Sequence, residues 1–337
     1  MVTPPDRPRG RLAPSPTGAL HLGNARSFLI AWLSVRSRGG SLVLRMEDLD
    51  HPKVKPGAAA AALEDLRWLG LDWDEGPDIG GPCGPYVQSE RTDRYEAALM
   101  KLKALGLVYP CVCTRHDVEQ GQSAPHAEEV GPRYAGTCRN RFSDYEEALV
   151  HRRHLLGETG VLPANLLPAW RFHAEGVTSF VDEFQGPQTA DVNAADGDFV
   201  IARHARGAGY MLAVVVDDAA MGIDEVVRGD DLLPATHRQL HLYRALGLQP
   251  PRFMHLPLVV NEDGRRLAKR HGDTRISALR QRGLTSSAVV GLLAGWCGWA
   301  AWGEEVTPQA LIARYDPERL PHAPAVLDVR VKRWLGI

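Results

Sequence analysis

Apolar positions in the first third of the chain fall into short alternating blocks. "GRLAPS" is a brief apolar run that Pro14, Pro16 and Gly18 break, and Ala25, Phe28, Leu29 and Ala31 to Leu33 then recur at helical spacing, which predicts a helix over 23–38. "SLVLRMED" reads as an apolar strand ending in carboxylates, and 58–69 as a second helix whose alanine run is helix filler. Strand and helix in alternation predict a parallel sheet. Ligands of such sheets gather beyond the carboxyl ends of the strands, where Ser15, His21 and Glu47 fall.

The pattern changes between Tyr109 and Gln188. This stretch holds three clustered cysteines, a Gly/Pro/His-rich linker over 121–134, a charged helix over 145–156 and short strand-like pieces at "WRFHAEG" and "TSFVDEFQG". It reads as an insertion between two halves of one nucleotide-binding fold. The parallel pattern returns with "YMLAVVVDD", read as a strand, then a helix over 234–246, the strand "FMHLPLVVN" and a set of short helices. The expected division is 1–108 for the first half of the core, 109–190 for the insertion, 191–275 for the second half and 276–337 for a short C-terminal helical region. The expected fold class is therefore α/β.

Composition adds limits rather than direction. The 337 residues, 44% hydrophobic and 24% charged, suit a globular protein with a sizeable core. No apolar run reaches membrane-spanning length and "MVTPPDRPRG" has no hydrophobic signal core, so no membrane partner and a cytoplasmic location are expected, with a monomer as the simplest state. A net charge of −2 neither advertises nor excludes nucleic acid, because phosphates meet a local basic face. Five cysteines without a secretion signal argue against a disulfide framework, and Cys83 and Cys297 read as inert thiols.

The stretch "APSPTGALHLGNARS" carries the first chemical signal. Neither G-x-x-x-x-G-K-[ST] nor G-x-G-x-x-G opens the first helix. What stands there instead is His21 at a helix N-terminus, with Gly23 two residues later allowing a flat ring to approach the backbone, an arrangement suited to ATP without a Walker loop. Near the other end, "DGRRLAKRHGD" places Arg265, Arg266, Lys269 and Arg270 in a glycine-flanked loop after a strand. The run "HRRH" at 151–154 reads as a solvated helix face, and His237 with His241 lacks the glutamate of a zinc protease helix.

Together "HLGN" and "RLAKR" resemble the two signatures of class I aminoacyl-tRNA synthetases, usually written HIGH and KMSKS. "RLAPSPTGALHLGNARS", "LRMEDLD" and "AVVVDDAAMGIDEVVRGDDL" are similar to the glutamyl branch of that class over most of 9–275. Two features resemble its short paralogues that act on queuosine in tRNA(Asp). One is C-x-C, a tyrosine, three residues and a cysteine, met by Cys111, Cys113, Tyr134 and Cys138; the other is that only some sixty residues follow the basic loop, where a full-length ligase would continue into an anticodon-binding region.

The resemblance implies a class I synthetase core of Rossmann type with an inserted acceptor-end-like zinc domain, and it implies the substrates L-glutamate, ATP with Mg²⁺, and tRNA(Asp) carrying queuosine. His21, Gly23, Asn24 and Lys269 would hold ATP, with His21 and Lys269 catalytic. Arg11, Leu12, Ala13, Pro14 and Ser15 would line the amino-acid side, Glu47 would take the α-ammonium, Tyr210 would offer a hydroxyl and Arg228 would read the side-chain carboxylate. Asn24 replaces the second signature histidine and Ala268 the signature serine, which removes one hydroxyl from the loop.

Joining a carboxylate to the α-phosphate of ATP brings two anions together, so positive or hydrogen-bonding groups must be fixed in place beforehand; no general base is needed. Three thiolates in one segment are a zinc signal. For the fourth ligand, imidazole from His116 or His126 is the ordinary chemical choice, whereas the resemblance implies Tyr134. Two other functions stay open at this point: charging of a tRNA 3′ end by a minimal ligase, and a non-catalytic paralogue that binds RNA or amino acid as a regulator.

Overall fold

A computed structural model describes residues 7–49, 53–120, 133–204, 207–265, 267 and 273–337. The chain opens with β1 (Arg9–Leu12), α1 (Leu22–Arg36), β2 (Ser41–Leu44), α2 (Ala58–Trp68) and α3 (Thr92–Ala104). α1 forms because Leu22, Ala25, Leu29, Ile30 and Leu33 recur on one face, and all are buried. The inserted stretch contains β3 (Val108–Cys111), α4 (Arg115–Gln120), α5 (Tyr145–Leu156), β4 (Ala169–Phe172), β5 (Val177–Asp182), β6 (Gly186–Asp191), α6 (Val192–Ala195), β7 (Phe199–His204) and β8 (Gly207–Ala208). α5 has the boundaries its caps dictate: Asp144 accepts from the Glu147 N–H, and Gly157 ends the helix in the left-handed conformation.

The core resumes with α7 (Tyr210–Ala220), β9 (Glu225–Gly229), α8 (Leu233–Leu246), β10 (Arg252–Leu256) and β11 (Val259–Asn261). Here the sequence reading needs correction. "YMLAVVVDD" is a helix, and the strand follows it at "EVVRG". An unbroken apolar run has no period, so it fits a buried strand and a buried helix equally well. α9 (Ile276–Gln281), α10 (Ser286–Gly295), α11 (Pro308–Leu311), β12 (Ala325–Leu327) and α12 (Val329–Leu335) complete the chain.

The four-stranded central sheet is parallel, in the order β10-β9-β1-β2. β1 lies in register with β2 from Arg9↔Ser41 to Leu12↔Leu44 and meets β9 at Gly10↔Glu225, so the two halves of the core join at a sheet centre built from residues far apart in sequence. The inserted stretch forms an antiparallel sheet in the order β3-β4-β7-β8 and a separate hairpin, β5-β6. One apolar core joins α1, α2 and the C-terminal elements through Leu29, Leu66, Leu293, Leu311, Leu327 and Leu335. A second joins the other sheet face to α3, α7, α8 and the inserted sheet through Leu102, Phe172, Ile201, Val215 and Leu242. β12 pairs in parallel with β11, and Glu262 accepts from the Val329 N–H and from Lys332, each at 2.9 Å, so the last elements are fastened where the chain enters the basic loop.

Candidate active site and metal centre

His21 is the N-cap of α1, and its Nδ1 accepts from the Gly23 N–H at 3.1 Å. A neutral ring therefore carries its proton on Nε2. A Cβ on residue 23 would lie 3.1 Å from the imidazole Cε1, so a side chain there would press on the ring. The Leu22 N–H is also occupied, donating to the Thr274 carbonyl at 3.1 Å. The first turn thus spends two of its amides internally and presents an imidazole in their place. His21 bridges Arg275, and the Ile276 N–H donates to the Leu20 carbonyl at 2.9 Å, which joins the exit of the basic loop to the His21 turn. The His21 turn thus meets the segment that follows the basic loop, Thr274 to Ile276, which is remote from it in sequence. Asn24 is exposed; Lys269 lies outside the described residues.

Beyond the strand ends, Leu12 and Pro14 are buried, Ala13 is half-buried and Ser15 is exposed. The Pro14 carbonyl accepts from the Glu47 N–H at 3.0 Å and the Leu12 carbonyl from the Arg45 N–H at 2.9 Å, so the turn after β1 fixes the turn after β2. Glu47 pairs with Arg45 at 3.1 Å, and burial pushes its carboxyl above the ordinary range against the pull of Arg45 and Arg11. Arg11 donates to the Val227 carbonyl at 3.1 Å; burial lowers its pKa while Asp218, 4.0 Å away, opposes the shift. Burial raises the pKa of the Tyr210 hydroxyl, with Arg228 and Arg11 opposing the shift and Glu47 and Asp218 adding to it, so these side chains share one electrostatic neighbourhood.

Arg228 is 5% exposed. Its Nε donates to His255 Nε2 at 3.0 Å, and its Nη2 donates to Thr236 Oγ1 and Gln239 Oε1, both at 2.7 Å. All three partners are neutral or kept neutral by burial, and Nη1 is buried with no hydrogen-bond partner among the described residues. A buried guanidinium without a carboxylate is costly unless an anion joins it.

Sequence reasoning missed the charged supports around these residues. Arg45, fully buried, meets Asp218 at 2.7 Å and Asp217 at 3.9 Å, and Asp217 also accepts from Arg91 (2.6 Å), Gln88 (2.9 Å) and Tyr95 (2.8 Å). The adjacent acids at the end of the apolar run "YMLAVVVDD" were the available signal, because carboxylates in such a run need buried cations.

The three clustered cysteines converge. Cys111, Cys113 and Cys138 place their sulfurs within 4.8 Å of one another, and Cys113 and Cys138 are 3.5 Å apart. Tyr134 Oη lies 3.5 Å from Cys111 Sγ and accepts from the Cys138 N–H at 2.7 Å. Tetrahedral zinc, with Zn–S of about 2.3 Å, sets sulfurs about 3.8 Å apart, so the donor set fits such an ion. Hydrogen bonds from Cys113 and Cys138, aided by Arg171, hold the Cys111 thiol well below its ordinary range, while Cys113 is raised as their partner. His116 is exposed on α4 and outside this cluster, and His126 lies outside the described residues. Cys297 is buried and its thiol is pushed up to about 11. His237 meets Thr178 at 2.8 Å and His241 is buried, and the run "HRRH" is not wholly a solvated face, because Arg152 is buried and donates to the Val112 carbonyl at 3.1 Å. No helix among the described residues is long and apolar enough to cross a membrane.

Residues 8–331 match the family model for the catalytic domain of class I tRNA synthetases (E and Q). Glutamyl-Q tRNA(Asp) synthetase of Nitratidesulfovibrio vulgaris is 47% identical over 94% of this chain and 95% of its own length. That of Symbiobacterium thermophilum is 48% identical over 94% of each. A crystal structure of glutamate tRNA ligase from Elizabethkingia meningosepticum, in complex with its amino acid, superposes with a TM-score of 0.79 at 28% identity, covering 98% of this chain and 68% of that one. By this match and these relatives, the chain belongs to the class I tRNA synthetases of the E and Q type, in the glutamyl-Q tRNA(Asp) synthetase family.

Proposed function

We propose that this ligase activates L-glutamate with ATP and transfers the glutamyl group to a hydroxyl of the queuosine ring in the anticodon of tRNA(Asp). In the first step a carboxylate oxygen of glutamate attacks the α-phosphorus and pyrophosphate leaves; in the second the queuosine hydroxyl attacks the glutamyl carbonyl and AMP leaves. The observation that carries this reading is the buried guanidinium of Arg228, which has no carboxylate partner among the described residues and is a receptor for an anionic side chain. Glu47 takes the α-ammonium, Tyr210 adds a hydroxyl, and Arg11 with the turn through Leu12, Ala13, Pro14 and Ser15 frames the amino acid. His21 Nε2–H, Gly23, Asn24 and Lys269 serve ATP. His21 and Lys269 stabilise the charge that gathers on the phosphoryl oxygens, and Mg²⁺ accompanies the nucleotide.

Cys111, Cys113, Cys138 and Tyr134 would hold one zinc ion, whose part is to fix the local fold of the insertion. The division at 108, 190 and 275 is proposed with it, although the antiparallel sheet of the insertion draws strands from as far as Ala208. A monomer acting without a membrane is the simplest assembly for this chemistry.

The test is glutamylation of queuosine-containing and queuosine-free tRNA(Asp) with labelled glutamate, followed by ribonuclease digestion that separates the anticodon fragment from the 3′-terminal fragment. Label is expected only with the queuosine-containing tRNA, and it should travel with the anticodon fragment. Label on the 3′-terminal fragment would assign the enzyme to 3′-end charging instead.

A further inference from the structure

Every donor of Arg228 except Nη1 has a neutral partner, and one of those partners is itself anchored. His255 is fully buried; its Nδ1 lies 2.6 Å from Asp182 Oδ2 and its Nε2 3.0 Å from Arg228 Nε. Arginine can only donate, so Nε2 must be the acceptor and the ring proton sits on Nδ1, facing the carboxylate. Asp182, 1% exposed, closes the end of β5 and also accepts from the amides of Phe184 (3.0 Å), Gln185 (2.8 Å) and His255 (3.1 Å). Phe253 lies 5.3 Å from the guanidinium on its ring face. The guanidinium is therefore fixed in its plane by His255 on one edge and by Thr236 and Gln239 on another, with Nη1 as its remaining corner.

We infer that His255, oriented by Asp182 of the inserted hairpin, is a positioning residue that holds Arg228 for the side-chain carboxylate of the amino acid. This inference rests on the proposed role of Arg228. It follows from economy of charge: a carboxylate in place of His255 would neutralise Arg228 and weaken its claim on a substrate anion, whereas a neutral imidazole accepts one N–H and leaves the positive charge unspent. It also places a specificity element in the insertion, since Asp182 lies 73 residues before His255 and on a different sheet.

Pyrophosphate exchange driven by glutamate and by glutamine tests the inference in wild type, His255→Asn, His255→Gln, Asp182→Asn and Arg228→Gln. His255→Asn keeps a donor toward Asp182 but offers Arg228 no acceptor. It should raise KM for glutamate about 10-fold or more, as expected for losing a hydrogen bond to a charged group, and narrow the glutamate-to-glutamine ratio, with kcat and KM for ATP little changed. Asp182→Asn should act in the same direction more weakly. His255→Gln, which returns an oxygen toward Arg228, should recover part of the loss. Wild-type KM and preference in both His255→Asn and Asp182→Asn, while Arg228→Gln alters them, would overturn the positioning role. Parallel rises in KM for ATP and glutamate would overturn it in favour of general structural damage. An unaffected Arg228→Gln enzyme would instead remove the underlying reading of Arg228. Should His255→Asn fail to fold, Asp182→Asn and His255→Gln decide by the same criteria.

Discussion

Glu47 is the residue whose chemistry and environment pull hardest against each other. Burial raises its carboxyl pKa, yet the proposed role as partner of an ammonium requires the ionised form. A group so raised is protonated first as pH falls, so KM for glutamate should rise as pH drops through that value, and glutamate itself should pull the carboxyl back toward ionisation. Glu47→Gln should raise KM by about 10-fold or more and flatten this arm of the profile, read by pyrophosphate exchange across pH. Linear motifs singled out Arg11, His21, Glu47 and Arg228 in the sequence for the roles proposed above. Arg45, Asp182, Thr236, Gln239 and His255 were not, because their meaning lies in who faces whom across tens of residues and no local pattern encodes that.

At the level of elements, legibility followed capping and period. α5 and α8 could be read because Asp144, Gly157 and Gly247 mark their ends and polar positions interrupt their apolar faces. α7 could not, since its apolar run carries no period until Asp217 and Asp218 end it. α2 holds a different kind of tension. Asp65 is 1% exposed, one of its oxygens has no hydrogen-bond partner among the described residues, and Arg280 of α9 comes no nearer than 4.0 Å. Burial pushes its pKa up to about 6. Because the folded value lies above the unfolded one, the stability tied to the protonated carboxyl is fully present below about pH 4 and is lost as pH rises through about 6. Asp65→Asn stays neutral throughout. It should raise Tm by about 2–4 °C at pH 8, roughly the effect of 1 kcal/mol in a large domain, and by about half as much at pH 5. Thermal unfolding at the two pH values checks this.

On the scale of the molecule, the cysteine cluster packs apart from the residues proposed to bind the amino acid. Cys111, Cys113, Tyr134 and Cys138 form their own small core, apart from the two that flank the parallel sheet. Gly197, at φ +72°, lets the chain pass the Tyr134 carbonyl at a distance no side chain could accept, so this corner tolerates little rearrangement. Cys138→Ser should lower the metal content from about one zinc per chain to nearly none, and it should depress transfer to tRNA more than activation of free glutamate. Elemental analysis alongside both assays checks the separation; equal losses in the two activities would place the cluster in the chemistry of the first step.

The central sheet also has a history in time. Its two middle strands are joined by contacts spanning 215 residues, from Arg9 to Asp224. At a synthesis rate of about 5–20 residues per second, β1 leaves the ribosome about 10–40 s before its partner β9 exists. During that interval one edge of the first strand pair is open, and Arg45 and Arg91 have emerged without the adjacent aspartates that later enclose them. The insertion is synthesised within this same interval, so its antiparallel sheet can form while the core still waits. The nascent chain therefore carries an unfinished, charged sheet edge for most of its translation, and the proposed amino-acid site is completed only after that wait, once Arg228 and His255 have been made.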